Sequence, residues 1–237
     1  MSEALIAALG RQHSLERELA VVSNNIANAN TVGFKADRAI FAEYLNPAGI
    51  DQPSLSLGAL GAHDFDLSAG SLNVTGGPFD LAIQGEGFFE VETPLGNRVT
   101  RAGNFQLSSE GVLIDANGNS VLSSGGGPIT IPGQASDIRI TAEGSVLADG
   151  VEVERISIVV PGGDIRRDTS TYFISDEPTV PAFTGRVLQG ALEQSNVSTV
   201  TEIARLIEVQ RAYEAGQSML QREDDRLTQL ITIVRDR

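Results

Sequence analysis

Cysteine and tryptophan are both absent from the 237 residues, and histidine occurs only twice. Without cysteine there is no disulfide framework, no thiolate zinc site and no cysteine nucleophile. His13 and His63 leave little material for a Ser-His-Asp site or an imidazole metal cage. Basic residues are also scarce, with 17 Lys and Arg against 31 Asp and Glu, a net charge of −14. That balance argues against nucleic-acid binding, which needs a basic face to displace counterions, and against electrostatic docking on an anionic membrane. No apolar run approaches the ~20 residues that span a bilayer. The start MSEALIAALGRQ lacks a basic n-region and a long h-region, so no cleavable secretion signal is visible. What is present, 41% hydrophobic and 20% charged residues, suits a globular chain of one large or two modest domains rather than a disordered one.

Proline, glycine and charge divide the chain into three parts. All nine prolines lie between Pro47 and Pro181. Residues 1–38 carry four acids and four bases, and residues 186–237 carry eight acids and seven bases. The middle holds the remaining 19 acids and six bases, so nearly all of the negative charge sits there. Two proline-free, near-neutral ends flank an acidic, turn-rich centre.

Both ends read as helices. Leu5, Ala8, Gln12, Leu15, Leu19, Val22, Ile26 and Ala29 follow a 3-4-3-4 spacing, which makes a heptad seam or one continuous apolar stripe. Ile203, Leu206, Gln210, Tyr213, Gln217, Leu220, Asp224, Leu227, Ile231 and Val234 repeat that spacing, with three polar members. A helix over 199–234 would extend roughly 54 Å at ~1.5 Å per residue. Pairing it with the N-terminal helix is more economical than covering it with a small domain. The expected fold class is therefore α+β: N- and C-terminal helices forming a coiled-coil-like domain, with a central all-β domain. The expected boundaries are 1–35 for the N-terminal helix, 36–75 for a connector that is extended or partly β, 76–185 for the β-domain and 186–237 for the C-terminal helix.

The centre shows period-two alternation at Phe79, Leu81 and Ile83, at Phe89 and Val91, at Ile138 and Ile140, and at Ile156, Ile158 and Val160. Turn signals separate these runs at Asn117-Gly118, Glu143-Gly144, Pro161-Gly162 and Gly125-Gly126-Gly127-Pro128. Short strands at this spacing suggest a sandwich or barrel-like sheet.

No catalytic constellation emerges. His63-Asp64-Phe65-Asp66 has metal-ligand residue types, but one histidine beside two carboxylates is a common coincidence. Asp115-Ala116-Asn117-Gly118-Asn119 has its glycine fourth rather than sixth and no Glu at the twelfth place, so a hairpin turn is expected instead of a calcium loop. Gly85-Glu86-Gly87-Phe88-Phe89-Glu90 starts like a dinucleotide fingerprint but ends in Glu, and the glycines there suit a bulge or close strand packing. No cofactor, metal or catalytic residue is expected.

Ser23-Asn24-Asn25-Ile26-Ala27-Asn28-Ala29-Asn30-Thr31-Val32-Gly33-Phe34-Lys35 is less ordinary, with four asparagines near a helix end. Asparagine competes with the backbone for hydrogen bonds and is a poor helix interior residue. A C-cap, with Asn30 or Gly33 left-handed and Phe34 folding back, accounts for the last residues. Asn24, Asn25 and Asn28 lie beside the seam, where amides can fix the register of helices.

This stretch resembles the N-terminal signature of the flagellar axial proteins, the rod and hook subunits of the bacterial flagellum, with Ser23 where Ala is usual. Leu81–Val91, followed by Thr100-Arg101-Ala102-Gly103-Asn104-Phe105, is similar to a second block of that family. Gly190–Val197, continuing to Gln210-Arg211-Ala212-Tyr213-Glu214, is similar to a third. Leu9-Gly10-Arg11-Gln12, the short interval between Phe34 and Gly85, and Gly127–Pro132 resemble proximal-rod subunits more than the distal-rod or hook subunits, which stand as the alternative. A periplasmic carbohydrate-binding or carbohydrate-acting β-domain is a remoter alternative, weakened by the 5% aromatic content.

The resemblance implies a structural subunit of the flagellar basal-body rod crossing the periplasm, not an enzyme. It implies export by the flagellar type III apparatus, with copies of itself and other rod subunits as partners. The assembly interface is then expected at Leu5, Leu15, Leu19, Val22, Asn24, Asn25, Ile26 and Asn28. From the other end it is expected at Asn196, Val197, Leu206, Gln210, Tyr213, Leu220, Leu227 and Ile231. Terminal stripes without partners favour disordered ends before assembly, and proteolysis is then expected to trim the chain to about residues 40–190.

Overall fold

The structure, a computed structural model, describes residues 3–46, 55–133, 135, 137–182 and 184–235. Within these, the side chains of residues 3–7, 39–46, 55–63, 227 and 230–235 lie outside the described residues. The chain divides into two compact units. Unit 1 comprises Met1–Ala27, Ala36–Asp66 and Val197–Arg237, and unit 2 comprises Asn28–Lys35 and Leu67–Asn196. The α+β class is what the structure shows.

Unit 1 holds α1 (Glu3–Ala27), an antiparallel hairpin of β1 (Asp37–Asn46) and β2 (Leu55–Phe65), and α2 (Thr199–Arg235). The hairpin lies in the segment expected to be extended or partly β. Its register runs from Asp37 opposite Phe65 to Asn46 opposite Leu55, with a bulge between Ile40 and Phe41. The proline-free stripes form helices as their spacing predicts, but α1 stops at Ala27, short of residue 35. Asn28 and Gly33 supply the reason. The Thr31 amide donates to the Asn28 carbonyl, and Gly33 takes a left-handed φ of 69° that other residues adopt only with strain. At the start of α2, the Ser198 carbonyl accepts from the Glu202 amide at 2.9 Å, and Glu202 places a carboxylate in the first turn, where the helix dipole favours it. The two terminal helices contact each other within the single chain.

Unit 2 is all β beyond its N-terminal strap of residues 28–35. Its strands are β3 (Leu72–Val74), β4 (Leu81–Gln84), β5 (Phe88–Thr93), β6 (Gly96–Thr100), β7 (Gln106–Leu107), β8 (Leu113–Ile114) and β9 (Ser120–Val121). They continue with β10 (Ile138–Ile140), β11 (Ser145–Ala148), β12 (Val151–Arg155), β13 (Ile158–Arg167), β14 (Tyr172–Pro181), β15 (Arg186–Gln189) and β16 (Ala191–Glu193). The largest sheet runs β13-β14-β6-β5-β9-β8-β7, and β13 also pairs with β5. That extra pairing closes β13, β14, β6 and β5 on themselves, a small barrel-like ring. The strands β10-β11-β12 form a second sheet, while β15 pairs with β4 and β16 with β3, all antiparallel.

The alternating residues identified in the sequence meet in the core of unit 2. Leu81, Ile83, Phe89, Val91, Ile140 and Ile156 pack there with Leu113, Ile129, Ile131 and Val187. Phe89 and Phe105 meet edge to face at 5.1 Å between ring centres. A Cβ at Gly87 would lie 2.7 Å from Ile158 Cγ2, so β5 approaches β13 too closely for a side chain, as the glycine pattern suggested. Pro161-Gly162 differs from expectation. It is no turn but part of β13, where the register with β14 shifts between Val160 and Gly162 and again before Ile165. Bulges absorb the missing proline donor without ending the strand.

Candidate functional site

In unit 1 the candidate site is the pairing of α1 with α2. Glu18 is buried on α1 and accepts two hydrogen bonds at Oε1 from Arg205, from Nε at 2.9 Å and Nη2 at 2.7 Å. Gln12 Nε2 donates to the Tyr213 carbonyl at 3.1 Å. Asn25, only 2% exposed, uses both ends of its amide. Nδ2 donates to the Asp37 carbonyl and Oδ1 accepts from the Asp37 amide, both at 2.9 Å. This reciprocal pair locks the last turn of α1 to the start of β1, so Asn25 does set a register, against its own chain.

The face of α1 that is most covered is Ser14, Glu18, Val21, Val22 and Asn25. It lies about one position behind the expected stripe. Of the expected residues, Val22 is buried, while Leu15, Leu19 and Ile26 are half-buried. Asn24 is exposed, and Asn28 lies beyond the helix, where its Oδ1 accepts from Thr31 Oγ1 at 3.2 Å. On α2, Leu206, Tyr213 and Leu220 are half-buried, Val209 is the buried member, and Gln210 is exposed with its Nε2 donating to Glu214. Val197 is half-buried just before α2. Leu5, Leu227 and Ile231 fall on the helices, and their side chains lie outside the described residues. The offset has a physical cause: the bonds of Glu18 to Arg205 and of Asn25 to Asp37 fix the rotation of α1. The apolar row beside them is left incompletely covered, with Leu9, Ile203 and Ile207 between 44% and 51% exposed.

In unit 2 the notable feature is a buried charge cluster that sequence reasoning did not find. Lys35, Arg101 and Glu193 are 1%, 5% and 1% exposed. Lys35 Nζ meets Glu193 Oε1 at 2.5 Å and donates to the Ser68 carbonyl at 2.7 Å. Arg101 Nη1 meets Glu193 Oε2 at 3.2 Å and also donates to the Ile83 carbonyl, while its Nη2 donates to the Gly85 carbonyl at 2.8 Å. The Gly70 amide donates to Glu193 Oε1, and the Gly33 amide donates to the Glu193 carbonyl at 2.8 Å. Burial pushes the Arg101 guanidinium below its ordinary value, and the charge and hydrogen bond of Glu193 oppose that shift.

The same strap is held a second time. Arg167 lies between the rings of Phe34 and Phe173, at 4.5 and 4.9 Å, and its Nη2 donates to the Lys35 carbonyl at 2.5 Å. Asn196 Nδ2 donates to the Ser68 carbonyl at 3.2 Å. Phe34 and Lys35 are thus integral to unit 2, and so is Glu193. A body trimmed to 40–190 would lose all three. Elsewhere in unit 2, Asp115 accepts from the Tyr172 hydroxyl and from the amides of Asn117 and Asn119, the hairpin turn expected there. Burial, then the bond to Asp115, pushes Tyr172 up. No group of three or more potential metal ligands occurs among the described residues. No helix among them is long and apolar enough to cross a membrane.

Comparison with known proteins accounts for the three motif blocks. A sequence family described as flagella basal body rod protein matches residues 5–35. One described as flagellar hook protein FlgE/F/G D1 domain matches 82–148. A third, flagellar basal body rod FlgEFG protein C-terminal, matches 188–233. Lys35, Arg101 and Glu193 fall one in each. The chain is 39% identical over 234 residues to the flagellar basal-body rod protein FlgF of Caulobacter vibrioides, covering 93% of both chains. It is 34% identical to that of Rhizobium meliloti, covering 98% of this chain and 97% of the other. To the flagellar basal-body rod protein FlgG of Bacillus subtilis it is 29% identical over 264 aligned positions, more than the 237 residues present here, so that relative carries insertions this chain lacks. The chain belongs to the flagellar basal-body rod protein family, on its FlgF side.

Proposed function

We propose that the chain is a structural subunit of the flagellar basal-body rod, in its proximal part, where it joins copies of itself and neighbouring rod subunits into a shaft that transmits torque. The observation that carries this reading is the full-length match to FlgF-named rod proteins. The geometry of unit 1 supports it. Polar locks fix the helix pair, while Leu15, Leu19, Ile26, Leu206 and Leu220 keep part of their apolar surface in water. Covering a half-exposed Leu or Ile gains about 1 kcal/mol each, so stacking such stripes between subunits in a coiled-coil-like manner is favourable once many meet. Contacts of this kind that do not close in a ring generate a helical assembly. The chain is a building element and not an enzyme, and it reaches the rod through the flagellar type III export apparatus.

Deletion of the gene followed by imaging of basal bodies tests the assignment. Rods should be absent or shortened and cells non-motile, with rescue by the intact gene but not by a Leu15→Gln, Leu19→Gln, Ile26→Gln variant. Normal rods and normal motility in the deletion strain would overturn it.

A further inference from the structure

We infer that Glu193 is a late-closing latch of unit 2: the cationic socket of Lys35 and Arg101 is built first, and the β unit becomes stable only when Glu193 docks into it. The sequence separations order these events. Arg101 is held by the carbonyls of Ile83 and Gly85, which are 18 and 16 residues away, and Lys35 by the Ser68 carbonyl, 33 residues away. Its bond to Glu193 closes a loop of 92 residues, and the Lys35–Glu193 bond closes one of 158. Loop-closure entropy rises with length, so contacts of long range form after local ones.

The chemistry makes the last step decisive. Before Glu193 arrives, two cations are being drawn into a site that excludes water without the carboxylate that binds both, and burying a charge in that state is strongly unfavourable. When Glu193 arrives, one side chain bridges both cations, and its own carbonyl accepts from Gly33, which fastens the N-terminal strap. β16 pairs with β3 through Ala191, Leu192 and Glu193 itself, so side-chain and main-chain closure coincide. A chain that lacks either its strap or its last strand keeps the unit open. Closure therefore reports that the chain is complete from residue 28 to 196.

The test uses the full-length protein and pulse-labelled hydrogen exchange read on peptides of β5 and β14 during refolding and unfolding. Glu193→Gln keeps the shape and removes the charge. It should raise the unfolding rate on the order of a hundredfold and change the refolding rate less than threefold, the pattern of an interaction absent from the transition state. Lys35→Met leaves Glu193 bonded to Arg101 and should raise unfolding about tenfold with refolding again unchanged. It carries the same reading if Glu193→Gln does not fold. Refolding slowed tenfold or more in either variant, or unfolding rates equal to the parent in both, would overturn the latch.

Discussion

Replacing Gly216 by alanine sets two effects of similar size against each other, and the structure decides their sign. Glycine inside a helix is less favourable than alanine by about 1 kcal/mol, so the change alone should stabilise α2. A Cβ at Gly216, however, would overlap Gln12 Nε2 and lie 2.9 Å from Gln12 Cδ. Gln12 must swing away, which breaks its 3.1 Å bond to the Tyr213 carbonyl at a cost of about 1 kcal/mol. The buried Gln12 Oε1 has no hydrogen-bond partner among the described residues even now, so rebuilding the amide elsewhere between the helices costs about 1 kcal/mol more. The net expectation is about 1 kcal/mol of destabilisation. In a Gln12→Ala background nothing obstructs the new methyl, and the same change should stabilise by about 1 kcal/mol. The double-mutant cycle then gives a coupling of about 2 kcal/mol. Urea unfolding followed by far-ultraviolet circular dichroism on the four proteins measures it. Equal stabilisation in both backgrounds would refute the close approach of α1 and α2 at this point.

Three further outcomes follow from other contacts. Arg205→Ala removes both bonds to Glu18 and leaves that buried carboxylate unpaired, so unit 1 should lose about 1–2 kcal/mol, with Arg205→Lys recovering part of it by the same unfolding assay. Tyr172 is raised above its ordinary value near about 10. The folded state therefore favours the neutral phenol, and its contribution is complete below the unfolded value and is lost as pH rises through the folded one. Urea midpoints in the alkaline range should fall more steeply for the parent than for Tyr172→Phe, and identical slopes would count against the Tyr172–Asp115 bond. Limited proteolysis with mass spectrometry should leave residues 28–35 and 191–196 within the resistant material; a stable, folded product lacking both would contradict the buried cluster.

The elements that the sequence reveals are those marked by local periodicity. Both terminal helices follow from a 3-4 spacing uninterrupted by proline, and the core strands from alternation at Leu81 and Ile83, Phe89 and Val91, and Ile138 and Ile140. Where a local signal competes with tertiary pairing, it misleads. Pro161-Gly162 looks like a turn but lies inside β13, because the ladder to β14 resumes beyond it and two register shifts accommodate the irregularity. The stripe on α1 is right as a helix signal yet displaced as a contact surface. Periodicity weighs apolar residues alone, whereas the rotation of α1 is fixed by Glu18 with Arg205 and by Asn25 with Asp37.

The charge cluster was illegible for a different reason. Lys35 is the one lysine of the chain, but no motif links it to Arg101 or Glu193 among 48 charged residues, and their pairing spans up to 158 residues. The motif blocks did point to these segments, but the resemblance offered an assembly role for the asparagines and none for the charges. In the structure the asparagine-rich stretch divides its work. Asn25 serves unit 1 through Asp37, while Gly33, Phe34 and Lys35 serve unit 2 through Glu193 and Arg167. A buried ion pair adds little net stability over an apolar substitute but loses much when half of it is removed. Such a cluster therefore contributes most, on the latch proposal, by making closure conditional on having both ends of unit 2. In the proposed rod assembly the apolar stripe of the helices would work the other way, with part of its gain withheld until another subunit covers it.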